Sequence, residues 1–358
     1  MEQNSKKVNG YPKKLLVVRL SAIGDVAMTV PAIWSLVKNH PDVQVTFVSQ
    51  GFARDIVNQI PGVLFVEANT KGRHKGLLGI WRLFTDLRKI DRYDALADLH
   101  NVIRSQILRN LFLLSGLKKI SVINKGRSEK RKLVRLKNKR LVPLKTTLER
   151  YMDVLLRLGY TINDEFDYLF REARLPENIT IHLGYKDKRW IGIAPFAKHK
   201  GKIYPLDKME RVVEILSASK TNQIILIGGG GKEQEILEGW EKKYPNTISI
   251  ARKYSILNEL KIISNLDVMV CMDSANMHFA SLVNTPVVSI WGATHPYAGF
   301  YGWKQNPTSA VQVDLYCRPC SIYGNKPCFR KDYACLNRIE PEVVVNKINT
   351  VIDRFNRI

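Results

Sequence analysis

The sequence predicts an α/β protein made of two tandem units, each a parallel sheet covered by helices. Three observations predict it. Short β-branched runs alternate with segments of helical period along the chain. The alternation pauses at a polar stretch, "REARLPENITIHLGYKDKR", which carries Pro176, and then restarts. The length, 358 residues, suits two domains of ordinary size. Two such units are expected to leave a central cleft between them, faced by the carboxyl ends of both sheets, where ligands bind in this architecture.

In the first half, "KLLVVRL" from Lys14 reads as a buried strand and Val26 to Asn39 as one helix, with Pro31 in its first turns where proline is tolerated. Residues 1–13 read as a loose tail. "VQVTFVSQ" alternates and is a second strand; "FARDIVNQI" is a short helix ended by Pro61-Gly62; "VLFVEA" is a third strand. "LGIWRLFTDLRKI" has helical spacing, and "DALADLH" is a strand and turn. A basic segment and the helix "TTLERYMDVLLRLGY" close this half, with the linker placed around Pro176. The second half repeats the pattern from "WIGIAPFA" through "LDKMERVVEIL", "QIILIGGGG", "KEQEILEGWEKKY", "LNELKIISNLD", "VMVCMDS", "NMHFASLVN" and "TPVVSIWGAT". "PEVVVNKINTVIDRFNRI" is a final amphipathic helix.

Composition narrows the class. No run approaches the roughly 18 to 20 apolar residues of a membrane span. The first fourteen residues are polar and hold no apolar signal-peptide core, which predicts a cytoplasmic protein. Lys and Arg number 56 against 33 Asp and Glu, a formal net charge of +23. Such a surface attracts polyanions: nucleic acid, acidic lipid or a phosphorylated glycan. Leu117 to Arg140 alone holds eleven Lys and Arg with one acid, Glu129, and "KGRHKG" (Lys71 to Gly76) is a smaller cluster. Each reads as a solvated face or as part of an anion-binding surface. Zinc-finger spacing, an RNA-binding aromatic motif and a clear helix-turn-helix are lacking, so a basic nucleic-acid-binding protein is the alternative from another class.

The chemistry concentrates at two strand-to-helix turns. "VVRLSAIGDVAMTVPAI" carries one glycine, Gly24, then Asp25. A dinucleotide turn needs three glycines, for the tight turn, the pyrophosphate approach and the helix packing, so a nicotinamide or flavin site is excluded here. Asp25 reads either as a first-turn acid suited to the helix dipole or as a general base at a cleft mouth. In "VMVCMDSANMHFAS", Asp273 or Ser274 would cap a helix whose first amides, at Ala275, Asn276 and Met277, form a diphosphate-sized anion site. His278 reads as a further donor there or as a structural histidine. "GGGGKEQE" (Gly228 to Glu235), with Gly229 and Gly230 in its turn, is a plain turn or a nucleotide-side loop. It is not a P-loop, because Glu233 follows Lys232. "KHKGKIYP" (Lys198 to Pro205) offers lysines to a leaving phosphate or to solvent.

Cys317, Cys320, Cys328 and Cys335 fall in a C-x2-C-x7-C-x6-C pattern. They read as reduced thiols or an occasional disulfide, or as a structural zinc site, although the second spacing is wider than a tight zinc knuckle. Cys271, in an apolar strand, reads as core.

Taken together, "RLSAIGDVAMTVPAIWSL" and "DSANMHFASLVNTPVVSIWGATHP" resemble glycosyltransferase family 9, the ADP-heptose:lipopolysaccharide heptosyltransferases. The resemblance runs over about residues 13 to 357. It implies a GT-B fold of two Rossmann-like doubly wound domains. The acceptor domain would span 14–175 and the nucleotide-sugar donor domain 185–338, with a C-terminal helix, 339–358, returning to the first domain. It implies inverting, metal-independent transfer of heptose from ADP-heptose to the lipopolysaccharide inner core, with no cofactor required. On this chain Asp25 would be the catalytic base, with Ser21 and Gly24 on the acceptor side. Lys202 in "KIYP" and Asp273, Ser274 and His278, with the amides after them, would bind donor phosphate. The sequence departs from the family pattern at Ala275, where a glycine is usual, and at Tyr204, where a tryptophan is usual. Another nucleotide sugar therefore stays open as the donor. The implied acceptor is an anionic lipid-linked glycan, so the basic clusters fit a peripheral position on the inner face of a bacterial inner membrane, with nucleic acid an unlikely partner.

Overall fold

The computed structural model of the chain describes residues 11–170 and 173–355. It divides into two units, one formed up to Lys125 with Leu148–Phe166, the other by Gly126–Thr147 with the chain from Asp167 onward.

The first unit is a five-stranded parallel sheet: β1 (Lys14–Val18), β2 (Gln44–Ser49), β3 (Val63–Glu67), β4 (Ala95–Asp98) and β5 (Lys119–Val122), in the order β3-β2-β1-β4-β5. β1 lies in the middle, pairing Leu15 with Val45 on one side and Ala95 on the other. Leu15, Leu16 and Val17 are fully buried, because a strand covered on both faces is apolar throughout. Its helices pack their apolar stripes on the sheet; Gly76–Ile90 contributes Ile80, Leu83, Phe84 and Leu87.

Two expectations change here. The predicted helix from Val26 to Asn39 is two helices, Ile23–Ala27 and Val30–Asn39. Pro31 lacks an N–H and suits only a first turn, so a new helix starts there, and the Thr29 hydroxyl donates to the Val26 carbonyl at the break (2.7 Å). The predicted tail 1–13 lies mostly outside the described residues, but 11–13 are fastened. The Tyr11 hydroxyl donates to Asp42 (2.9 Å), and the Pro12 carbonyl accepts from the Tyr160 hydroxyl (2.8 Å).

The second unit is a six-stranded parallel sheet: β6 (Arg189–Ala194), β7 (Asn222–Leu226), β8 (Thr247–Ser249), β9 (Val268–Met272), β10 (Val287–Ile290) and β11 (Ala310–Val311), in the order β11-β10-β9-β6-β7-β8. Counted from β6, this is the doubly wound order 3-2-1-4-5-6 read from the other edge. The polar stretch expected as linker contains a helix, Glu177–Leu183, which starts after Pro176 and buries Ile179 and Leu183.

The predicted boundary also moves. Gly126–Thr147, expected to close the first domain, belongs to the second unit. The Lys139 ammonium donates to the carbonyls of Arg318 and Pro319 (2.7 and 3.1 Å). The amides of Leu144 and Thr147 donate to Tyr297 and Gly299 (2.9 and 2.8 Å), and the Lys130 ammonium lies 4.3 Å above the Phe300 ring. Part of the basic excess is thus interior structure. The C-terminal helix, expected to return to the first domain, is likewise part of the second unit. Pro341–Phe355 lays Val344, Val345, Ile348, Val351 and Ile352 into that unit's core, because its apolar stripe matches the face left by β9 and β10.

Candidate functional site

At the carboxyl edge of the first sheet, β1 runs into Arg19-Leu20-Ser21 and then the helix Ile23–Ala27. Asp25 is in that helix's first turn, as expected, and its carboxylate accepts the Ala22 amide (3.2 Å). Its main partner is Arg19, whose guanidinium lies 2.5 Å away and whose side chain is 8% exposed. Arg19 also donates to the Leu99 carbonyl (2.9 Å), while its Nε–H is buried without a partner. Burial opposes the Arg19 charge, but Tyr151, Asp25 and Asp98 outweigh it and raise the guanidinium pKa. The Tyr151 hydroxyl, fully buried, donates to the Asp25 backbone carbonyl (3.3 Å). Ser21 and Gly24 are half-buried beside Asp25, Gly24 inside the helix rather than in a left-handed turn.

The turn after β4 completes this edge. Asp98 is fully buried; it accepts the amides of His100 and Asn101 (3.0 and 2.7 Å) and pairs with Arg109 (3.1 Å). That folds the chain so that His100 Nδ1 accepts the Leu20 amide (3.3 Å). An Nδ1 that accepts leaves the proton on Nε2. Burial first, then the charges of Arg19, Lys125 and Arg104, push the His100 pKa down to about 3, against the opposing pull of Asp25. The imidazole is therefore neutral at ordinary pH. Arg19, Asp98 and His100 had no assigned role in the sequence reading. Their signal was positional: polar residues directly after a buried strand, at the edge where ligands bind.

In the second unit the structure brings together residues from two distant motifs. Lys202 pairs with Asp273 at 3.0 Å, and the Asp273 side chain is almost entirely buried. Lys202 lies in a short 3-10 turn, Lys200–Lys202, and its aliphatic stem packs against Gly324, which has no side chain to block it and whose positive φ suits glycine. Ser274 precedes the helix Ala275–Leu282 and its hydroxyl is buried without a partner. The amides of Ala275, Asn276 and Met277 form the helix's open N-terminus at the end of β9. The Met277 side chain is buried, and His278 is also buried within this helix. Of the glycine turn, Gly229 donates its amide to Glu233 (2.8 Å), and Gly230 packs on the Arg252 stem. The Gly229 amide is thereby occupied by the chain's own carboxylate.

The four clustered cysteines are free thiols, with Cys317 and Cys335 buried and Cys320 and Cys328 half-buried. Burial raises the Cys335 thiol to about 11. Among the described residues no three metal-ligating side chains are placed to hold an ion, so the structural zinc site offered as one reading of Cys317, Cys320, Cys328 and Cys335 is not assembled. A cavity of about 550 Å³ lies at the opposite, amino edge of the first sheet, lined by residues such as Lys13, Asp94 and Lys119, and holds none of the predicted site residues. Among the described residues no helix is long and apolar enough to cross a membrane.

Comparison with known proteins gives consistent results. The family model described as glycosyltransferase family 9 (heptosyltransferase) matches residues 80–328. Lipooligosaccharide heptosyltransferase 2 of Campylobacter jejuni is 22% identical over 91% of this chain and 95% of its own. The solved structure of E. coli ADP-heptose lps heptosyltransferase II is 18% identical, with a TM-score of 0.68, over 96% of this chain and 99% of its own. The E. coli heptosyltransferase WaaC, solved with ADP-2-deoxy-2-fluoro heptose, is 16% identical, with a TM-score of 0.65, over 94% and 99%. The likeness to these two structures shows the GT-B heptosyltransferase fold.

Proposed function

The chain belongs to glycosyltransferase family 9, the heptosyltransferases, and from that premise we propose that it transfers heptose from ADP-heptose to an anionic, lipid-linked lipopolysaccharide core acceptor. The observation that carries the reading is the Lys202–Asp273 pair beside the open helix N-terminus at Ser274, assembled from two motifs far apart in the chain. The WaaC structure holds an ADP-heptose analogue, which supports the donor.

In the proposed mechanism the acceptor hydroxyl attacks the anomeric carbon and gives its proton to the Asp25 carboxylate. One displacement with one base inverts the anomeric centre. The bond to the diphosphate breaks, and ADP leaves with the electron pair. Lys202 and the amides of Ala275, Asn276 and Met277 meet the charge that develops there. A cation and helix-end amides, fixed in advance, do for the leaving group what a divalent ion would otherwise do, so the transfer is proposed to be metal-independent. Asp273 holds Lys202 in place. Arg19 fixes the Asp25 rotamer through an ion pair that is itself tied to Leu99. Gly24 leaves the space above the turn open to the acceptor. The basic surface, including Lys71 and Lys75, supports a peripheral position on the inner face of the inner membrane, where such an acceptor is anchored.

Mass spectrometry of a lipid acceptor incubated with ADP-, UDP- and GDP-sugars tests the reading. The expected product is one heptose heavier, with ADP-heptose only. Asp25→Asn should lower kcat by about 10²–10⁴-fold, the usual scale of base catalysis, with ADP affinity unchanged. Equal turnover in that variant, or transfer from UDP-sugars alone, removes the proposal.

A further inference from the structure

The helix Gly76–Ile90 buries one face in the first unit's core, but its first two turns carry apolar side chains the core does not use. Leu77 is 71% exposed, Leu78 76% and Trp81 51%. Seven residues on, two turns further along the same faces, stand Thr85 for Leu78 and Arg88 for Trp81. The most exposed of these apolar side chains therefore gather at the end of the helix that begins at the carboxyl edge of the sheet, the edge that carries Asp25, while Ile90 at the other end is 44% exposed. The neighbouring helix, Ile103–Leu114, packs against this one and starts at the same edge, with Ile103 75% exposed.

Cations surround the patch. Lys71, Arg73 and Lys75 lie in the loop before the helix, Arg82 follows Trp81, and Arg104 follows Ile103; all are exposed. The nearby acids are already engaged: Asp86 pairs with Arg73 (2.9 Å) and His74 (3.2 Å), and Glu67 with Arg54 (3.1 Å). Lys71, Lys75 and Arg82 make no ion pair among the described residues. Leucines and an interfacial tryptophan ringed by unpaired lysine and arginine have the chemistry of a surface that enters the headgroup region of an anionic bilayer. A protein partner would need apolar area of its own and acids at the rim; a bilayer supplies both over any shape.

We infer that Leu77, Leu78, Trp81 and Ile103 form a wedge that inserts into an anionic membrane surface and sets the carboxyl edge of the first sheet against it. The inference rests on the lipid-linked acceptor proposed above, and it says how a bilayer-anchored substrate reaches Asp25: the wedge and the base share one edge.

The test uses the full chain and vesicles of phosphatidylethanolamine with phosphatidylglycerol. Wild type should sediment with them, and vesicles with brominated acyl chains should quench a fluorescence component that Trp81→Phe removes. Leu77→Gln/Leu78→Gln/Trp81→Gln should bind at least ten-fold more weakly while keeping its salt dependence, because the cations remain. Lys71→Gln/Lys75→Gln/Arg82→Gln should flatten the salt dependence and keep the quenching that remains. Turnover on a delipidated, soluble acceptor should be unchanged in both. Equal vesicle binding by the leucine-tryptophan variant, or no binding by wild type, overturns the wedge. So does a change of oligomeric state in that variant without a change in vesicle binding, which would assign the patch to a second copy. The two readings fail separately. Wedge-dependent binding in a protein that transfers no sugar keeps the wedge and removes the transferase reading; sugar transfer without vesicle binding does the reverse.

Discussion

At the scale of single residues, the Lys202–Asp273 pair carries both stability and binding, and the two can be separated. The Asp273 side chain is 5% exposed and the Lys202 side chain 17%. Removing the cation leaves a carboxylate with little water to solvate it, which costs more than the pair itself contributes. Lys202→Met should therefore lower stability by about 2–4 kcal/mol, toward the low end for a buried pair because Lys202 is partly solvated. A urea midpoint measures this. ADP affinity should also fall, by about ten-fold or roughly 1.4 kcal/mol, in an equilibrium titration. The double variant Lys202→Met/Asp273→Asn removes both charges. It should recover most of the stability and none of the affinity. Recovery of affinity along with stability would mean that Lys202 acts only through the fold.

Among the elements, the least expected is the basic segment Gly126–Thr147, whose chain packs closely against the rest of the second unit at one glycine. Gly299 has φ +82°, and a Cβ there would stand 2.6 Å from the Lys145 carbonyl oxygen. Gly299→Ala meets both a disfavoured backbone and an immovable one, so it should cost about 1–3 kcal/mol and loosen this segment. Limited proteolysis at Arg135 to Arg140 should speed up in the variant, while cleavage elsewhere is unchanged. Nothing local announces such a contact. The central strands of both sheets were legible because a strand buried on two faces is a continuous apolar run, as in β1 and β9, whereas the short edge strands β8 and β11 left no such run. The strand β5 and the helix Arg127–Leu133 sit inside the lysine-rich run, where charge hides the period, and were not read. The C-terminal helix showed its apolar stripe but not its address: amphipathicity fixes which face is buried, not which sheet buries it. The candidate site divides the same way. Asp273 stood out by residue type directly after a strand, whereas Asp25 and Lys202 kept a plain structural alternative and gained their roles from the family resemblance. Arg19 and His100 owe their roles to contacts between turns some eighty residues apart, which no local pattern encodes.

For the molecule as a whole, the consequence is a defined response to acid. His100 in the first unit has its pKa pushed down to about 3, chiefly by burial and then by the charges of Arg19, Lys125 and Arg104. His295 in the second is lowered to about 4, again by burial first and then by Arg318, while its Nδ1 accepts the Tyr297 amide. An unfolded histidine titrates near 6.5. Between that value and the folded one, the unfolded chain binds a proton that the native chain refuses, so stability rises with pH in this window and falls as pH drops through it. Above about 6.5 neither state is protonated and the contribution is complete and constant; below the folded pKa it is gone. For His100, buried at 8% exposure, the slope approaches roughly 1.4 kcal/mol per pH unit; His295, half-buried, should contribute less. Glu259, which burial raises to about 7, acts in the opposite sense over this window, so the histidine contribution is read as a difference: from pH 7 to pH 4.5 the wild-type Tm should fall relative to that of a variant lacking the histidine. His100→Gln, whose amide oxygen can still accept the Leu20 amide, should show that relative fall, and His295→Gln should do so to a smaller degree. Over the same range His100 stays neutral in the native protein, so the pH profile of sugar transfer should keep its shape in His100→Gln even if its height changes. A profile whose limb moves with that substitution would show that the imidazole titrates in the folded enzyme, contrary to its burial between the two turns.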